Sequence, residues 1–265
     1  MKQILIKLHW LTSSQFGIDP LRLWRSVCGL PTFISDWWKF RKTYTGKITI
    51  MPCLHDRFEE GGTTKSEYFW QDLLVSRWVY EARPQLHVDV GSRVDGFVAH
   101  VASFREVEVF DIRNITTQVP GIVFRQADFQ SMKSVTSYTN GGGYCDSLSC
   151  LHAIEHFGLG RYGDEINPFG YASGIKTMSK LLKPGGKFYL STPIGRERVE
   201  FNANWVFDPR TIIRVTSSEG LQLEQLTVIS QYGVVQNIQI SEDSLLKLAI
   251  QTYNLAIFVF TKLIY

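Results

Sequence analysis

Residues 86–111 constrain this chain more tightly than any other stretch. Leu86-His87-Val88-Asp89-Val90 reads as a short buried strand and Gly91-Ser92-Arg93-Val94-Asp95-Gly96 as a glycine-bearing turn. An apolar-periodic segment to Phe104 then reads as a helix, and Val107-Glu108-Val109-Phe110-Asp111 as a second strand ending in a carboxylate. That order is the nucleotide-binding half of a doubly wound α/β sheet. Gly91 and Gly96 allow positive φ or close approach of a ligand. Asp111 stands ~20 residues after the turn, where an acid accepts hydrogen bonds from both ribose hydroxyls. The expected cofactor therefore carries a ribose. A nicotinamide dinucleotide needs more glycine, so that its pyrophosphate can sit on the helix end. Here Arg93 and Asp95 occupy the loop, and an acid there suits an ammonium rather than a phosphate. S-adenosylmethionine has that chemistry. The same residues are also compatible with a plain strand-to-helix turn that binds nothing.

At 265 residues, with 44% hydrophobic and 20% charged, the chain has room for one large α/β domain with extensions. A net charge of +3 is too small to argue for nucleic acid, and no such partner is expected. Charge is unevenly spread: residues 1–48 hold eight Lys and Arg against Asp19 and Asp36. Trp10, Trp24, Trp37 and Trp38 are interleaved there, and a weakly amphipathic helix over 21–28 should stop at Gly29 and Pro31. This extension, 1–50, reads either as a cap whose tryptophans pack on the main domain, or as a peripheral contact with a membrane face or a complex. Cys28, Cys53, Cys145 and Cys150 show no metal spacing and read as reduced thiols of a cytoplasmic protein. No leader and no membrane span is expected, residues 255–260 being far too short to cross.

The main domain is expected over 51–265. Residues 51–82 form a cap, with Gly61-Gly62 hinging a lid over 55–71 and Ser66 capping a helix that buries Phe69, Leu73, Leu74 and Val75 or Trp78. Tyr68, Gln71 and Asp72 are polar among those apolar residues, so they either brace the loop or face a ligand. After Asp111, strands are expected over 122–128, 144–151, 187–191, 221–229 and 255–260. The turn Asn140-Gly141-Gly142-Gly143 and the stop Lys183-Pro184-Gly185-Gly186 separate them, with helices over 175–182 and 244–250 and a loop and helix over 205–215. The fourth strand runs into His152-Ala153-Ile154-Glu155-His156, which places two imidazoles and a carboxylate where open α/β sheets bind ligands.

The pattern resembles the class I S-adenosylmethionine-dependent methyltransferases from residue 86 onward. Asp89-Val90-Gly91-Ser92 is similar to their cofactor loop, Asp111 to the ribose acid and Ala127-Asp128-Phe129 to the adenine contact. Ile154-Glu155-His156 is similar to a Glu-His signature, and Leu182-Lys183-Pro184-Gly185-Gly186 to the turn before the fifth strand. More closely, Tyr68-Phe69-Trp70-Gln71-Asp72-Leu73, the run 87–98 and the run 151–164 resemble the domain-of-unknown-function family number 268. The resemblance implies a Rossmann-like doubly wound seven-stranded sheet with a C-terminal antiparallel hairpin. It also implies S-adenosylmethionine held by Asp89, Gly91, Ser92, Arg93, Gly96, Asp111, Asp128 and Phe129, and a link to surface-polysaccharide biosynthesis. Arg93 departs from the usual glycine: it either pairs with the cofactor carboxylate or fills the pocket.

The expected activity is methyl transfer to an oxygen of a sugar, glycan or other small hydroxyl acceptor. His156 or His152 would be the base, oriented by Glu155, with Tyr68, Gln71, Asp72, Arg196 and Arg198 on the acceptor side. No metal is expected, since Glu155-His156 lacks a third ligand in sequence. One rival is a non-catalytic scaffold with a degenerate cofactor loop. The other is a nicotinamide-dependent oxidoreductase, which the missing glycines disfavour.

Overall fold

The computed structural model describes residues 9, 11–62, 64–134, 136–138 and 142–264. Trp10, the chain before His9, and Asn140 and Gly141 of the expected glycine turn lie outside them. The chain divides into two compact units, Met1–Thr63 and Thr64–Tyr265. The division falls past residue 50 because the segment after the first helix packs back on that helix.

In the first unit, α1 (Pro20–Thr43) starts at Asp19, whose carboxylate accepts from the Leu21 and Arg22 N–H groups, with Pro20 at the first position. The helix does not stop at Gly29 and Pro31. Gly29 is instead a contact point: a Cβ there would fall 1.9 Å from the Leu54 carbonyl oxygen, so the returning chain crosses the helix where a side chain is missing. Pro31 sits inside the helix at the loss of one backbone hydrogen bond.

The second unit is a sheet between two helical layers. Its elements are α2 (Glu67–Ala82), β1 (His87–Val90), and a bent α3 made of Val94–Val98 and Ala99–Ala102. Then come β2 (Val107–Asp111), β3 (Ile122–Gln126), β4 (Cys145–Leu151), α4 (Gly170–Leu181) and β5 (Leu182–Ile194). A small hairpin, β6 (Arg198–Glu200) and β7 (Asn204–Val206), precedes α5 (Pro209–Ser218) and β8 (Leu221–Ile229). The chain closes with β9 (Val235–Ile238), α6 (Glu242–Ala249) and β10 (Asn254–Lys262). The main sheet runs β3-β2-β1-β4-β5-β10-β8-β9, parallel from β3 to β5 and antiparallel beyond. It has eight strands where seven were expected. The addition is β9, an edge strand of two inward and two exposed positions, too short for its period to show in sequence.

Alternation along the strands fills both faces. Val88, Val90, Leu148, Cys150 and Leu190 point to one core with Ile175, Met178, Ile212 and Leu245 from α4, α5 and α6. Val107, Val109, Leu151, Leu255 and Ile257 point to the other with Val75 and Val79 of α2 and Phe97, Val98 and Val101 of α3. Two expectations are corrected here. The expected turn 183–186 is a bulge within β5: Cys145 pairs with Leu182 and Ser147 with Lys187, so the extra residues loop out while the strand continues. The buried face of α2 is Gln71, Asp72, Val75, Ser76 and Val79, whereas Phe69 and Leu73 are exposed. A polar pair can face inward because it finds partners there, described next.

Candidate functional site

Successive strands are laid down outward from β1 toward β3 and then on the opposite side from β4 onward, and ligands of such sheets bind at the carboxyl ends beside that switch point. The turns after β1 and β4 and the acids after β2 and β3 all end there.

Gly91 follows β1 with φ +74°, a left-handed conformation that glycine adopts without strain. Its N–H donates to the Phe110 carbonyl at 2.8 Å, and an added Cβ would lie 3.0 Å from that of Ala153. The backbone is bare at this point. Asp89 and Ser92, by contrast, are buried and turned inward. The Asp89 carboxylate accepts from the Ser92 hydroxyl at 2.6 Å, the Ser92 N–H at 3.0 Å and the Ser149 hydroxyl at 2.5 Å, and the Ser92 oxygen accepts from Leu151 N–H. Burial pushes Asp89 up to about 7 against those hydrogen bonds. These two residues shape the loop. Gly96 has φ −123°, and a Cβ on it would stand 2.5 Å from Asp72 Oδ2, so its missing side chain lets α3 close on α2. Arg93 neither fills a pocket nor is free: its exposed guanidinium grips Asp95 at 3.0 and 2.7 Å and lies 5.7 Å from the Tyr68 ring centre. The pairing also neutralises Asp95.

At the end of β2, Asp111 Oδ1 accepts from the backbone N–H and Nε of Arg113 at 2.8 and 3.0 Å, and Oδ2 from Nη2 at 2.6 Å. A carboxylate offers about four acceptor directions, so one on Oδ2 is left for a ligand. The Arg113 guanidinium lies 4.4 Å from the centre of Tyr162. Asp128, half-buried past β3, accepts from Gln130 N–H at 2.9 Å. Phe129 is in the core, edge-on to Phe110, and offers no surface.

Beyond β4 the histidines and carboxylates cluster. His152 has φ +51°, a conformation rare for a residue with a side chain. Its Nδ1 is 2.8 Å from Glu155 Oε1, its Nε2 3.4 Å from Glu67 Oε1, and its ring stacks under Tyr68 at 4.3 Å. Burial alone would push this imidazole down, but Glu155 and Glu67 outweigh it and lift it to about 9. Glu155 is fully buried; burial would raise it, yet His152 and His156 hold it below the usual carboxylate range. Glu67 in turn accepts from the Tyr253 hydroxyl at 2.7 Å. His156 donates from Nδ1 to the Ala203 carbonyl at 2.7 Å, leaving Nε2 as the lone-pair nitrogen, 3.8 Å from Glu155. Burial, helped by Arg161, pushes His156 down against the pull of Glu155. Their surroundings thus move the two imidazoles in opposite directions, His152 up and His156 down.

Three of the expected acceptor-side residues are committed elsewhere. Gln71 accepts from the Ser191 hydroxyl and donates to Asp72 at 2.9 Å, and Ser191 also accepts from His152 N–H. The pair braces the turn after β4. Arg198 bonds Glu200 and the Arg196 and Thr252 carbonyls. Arg196 is exposed on its loop, and only Tyr68 faces the cluster with surface to offer.

Sequence reasoning missed Glu67, Arg113, Arg161, Tyr162 and Tyr253. Glu67 reads as an ordinary first-turn acid, and Tyr253 has no local signal. Arg161 and Tyr162 stand within a quoted motif but show their place only once residues 157–164 fold. In that loop Asp164 accepts from the N–H groups of Gly158, Gly160 and Tyr162 at 2.9, 3.3 and 3.2 Å. Arg161 donates from Nη1 to the Ala203 carbonyl at 2.8 Å, and the same nitrogen lies 3.2 Å from His156 Nδ1. A group with metal-ligand spacing, His55, Asp56 and Glu59, belongs to the first unit and is largely exposed.

Solved structures share this fold. A 1,6-didemethyltoxoflavin-N1-methyltransferase from Burkholderia thailandensis, bound to 1,6-didemethyltoxoflavin and S-adenosylhomocysteine, is 12% identical over 88% of this chain and 87% of its own, with a TM-score of 0.53. The [4+2]-cyclase SpnF is 12% identical over 77% and 86%, with a TM-score of 0.51. One is named a methyltransferase and the other a cyclase, so the shared scaffold does not by itself fix a reaction. No curated protein matches the chain. The family model described as "Caenorhabditis protein of unknown function, DUF268" matches residues 107–241. That span runs from β2 past β9 and contains Asp111, the histidine cluster and the Asp164 loop; the chain belongs to the DUF268 family and carries the class I methyltransferase-like fold.

Proposed function

We propose that this protein is an S-adenosylmethionine-dependent methyltransferase that methylates a hydroxyl of a small or glycan-type acceptor. The observation that carries it is His156, whose Nδ1 is tied to the Ala203 carbonyl so that Nε2 is left beside the His152–Glu155 pair, at the carboxyl end of β4 and next to the switch point. Cofactor fit is supported by the bare, left-handed Gly91, the open acceptor direction on Asp111 and the half-buried Asp128. When bound, S-adenosylmethionine supplies a methyl group on a positively charged sulfur. Asp111 and Asp128 would hold its ribose and adenine, and the Gly91 backbone would lie against it.

The chain's own residues supply the rest. His156 Nε2 takes the hydroxyl proton, with its Nδ1 fixed by Ala203 so that the ring cannot turn away. Such a base adds ~10²–10⁴-fold, and holding the acceptor in line adds more. Glu155 and Glu67 keep His152 charged, and Tyr68 covers it from water. Arg161, held by Ala203 and the Tyr162 ring, replaces Arg196 and Arg198 as the cation beside the acceptor, and it favours a substrate with an anionic group such as an activated sugar. A role in polysaccharide assembly fits that acceptor chemistry, and four free cysteines support a cytoplasmic setting.

The second reading, a non-catalytic scaffold, is favoured by Arg113, which takes most of the Asp111 carboxylate. Calorimetric titration with S-adenosylmethionine decides between them. The parent should bind; Asp111→Ala should lose about 1.5–3 kcal/mol per charged hydrogen bond; His156→Ala should bind normally but fail to transfer label to sugar acceptors. A parent chain that binds no cofactor is a scaffold. If Asp111→Ala binds like the parent, the ribose assignment falls.

A further inference from the structure

The first unit holds a long helix with two apolar faces, one of which is partly covered by the returning chain while the other is open. Gly29, Phe33, Trp37 and Phe40 line a groove of about 460 Å³ with the returning residues Ile48 to Leu54. The other face consists of Leu23, Trp24, Val27, Leu30, Ile34 and Trp38, recurring at helical spacing, and each is between 44% and 65% exposed. Large apolar side chains contiguous along four turns and open to water mark an interaction surface. Two features choose the occupant. Within α1 stand Arg22, Arg25, Lys39, Arg41 and Lys42 against Asp36 alone, so the helix is strongly cationic. A second copy on the same face would bring two such cationic helices together, whereas an anionic lipid surface complements them. The open face also carries a tryptophan near each end, fourteen residues and about 21 Å apart. Indoles favour the boundary between headgroup and acyl chain. No helix among the described residues is long and apolar enough to cross a membrane, and α1 would lie in the plane of the interface.

We propose that the open face of α1 is a docking surface for anionic lipid, with Leu23, Val27, Leu30 and Ile34 buried among acyl chains and the basic residues at the headgroups. This rests on the first unit alone and does not depend on the methyltransferase reading. The test is flotation of the full chain with phosphatidylcholine vesicles, with and without phosphatidylglycerol, at low and physiological salt, alongside sedimentation of the protein without lipid. Association is expected only with the anionic vesicles, with a blue shift of tryptophan emission and a loss as salt shortens the screening length from ~30 to ~8 Å. Val27→Glu with Ile34→Glu should weaken it at least tenfold. Because both positions are exposed, circular dichroism should show the helix retained. Arg25→Gln and Lys42→Gln should each weaken association about fivefold. Absence of binding to anionic vesicles at low salt overturns the proposal, as does unchanged binding by the paired Glu variant. A dimer in buffer that the paired variant dissolves would also overturn it, assigning the face to a second copy.

Discussion

His152 accepts a left-handed backbone at a cost of order 1–3 kcal/mol, and such strain persists where surrounding contacts over-determine it. Those contacts are the Glu155 and Glu67 carboxylates, the Tyr68 ring and the Ser191 carbonyl and hydroxyl. They also make the residue a titrating part of the fold. Its affinity for a proton rises from an ordinary ~6.5 to about 9 in the folded state. A raised value stabilises the folded protein fully below the unfolded value, and that contribution is lost as pH climbs through the folded one. Stability in urea should therefore fall between about pH 6.5 and 9. In His152→Gln this fall should shrink while the molecule is less stable at pH 6, because Glu155 loses its buried partner. An identical pH slope in the variant would assign the titration to another group.

Residues 157–164 show how an element is organised by one side chain. Gly158, Gly160 and Gly163 all have positive φ, and the Asp164 carboxylate accepts from the alternate N–H groups of Gly158, Gly160 and Tyr162. Gly158 is needed doubly, since a Cβ would meet the Asn167 carbonyl oxygen at 1.8 Å. The turn aims Tyr162 at Arg113 and His156, with Arg161 against Ala203. Asp164→Ala should cost about 1–3 kcal/mol for the donors left unpaired. Amide exchange at Gly158, Gly160 and Tyr162 should speed at least tenfold while β4 stays protected. Unchanged exchange would mean that the glycines hold the loop without the carboxylate.

At the scale of the molecule, two units meet in sequence near Gly61 and Gly62, around which an added Cβ would find no atom within 4 Å. An open, glycine-bearing link is where proteases cut. Limited trypsin or thermolysin digestion should first cleave between about residues 57 and 65. The fragment beginning near Thr64 holds both cores, the whole sheet and every residue of the candidate site. It should melt cooperatively by itself and keep the parent's affinity for S-adenosylmethionine. A fragment that unfolds on release would show that the second unit depends on the first.

Sequence alone determined whatever depends on local period and chain order. Continuous apolar runs and strand-to-helix punctuation set the doubly wound sheet, and strand 221–229 agrees with β8 to the residue. The helix start at Ser66 follows from a cap that is written locally, whereas Asp208 caps its helix only after β7 has taken up residues 204–206. Tertiary structure decided what depends on partners far along the chain. Gln71 and Asp72 are buried because Ser191, 120 residues away, supplies the hydrogen bond that burial requires. Gly96 is a glycine because of Asp72, and α1 continues through Gly29 because Leu54 returns there. Asp89 and Asp111 look alike in sequence as strand acids; one is enclosed by serines and the other opens beside Arg113. The surroundings that shift His152 and His156 in opposite directions were equally hidden, since Glu67 and Ala203 come to them from 85 and 47 residues away. Local pattern names an element, but the charge a side chain carries is set by its neighbours in space.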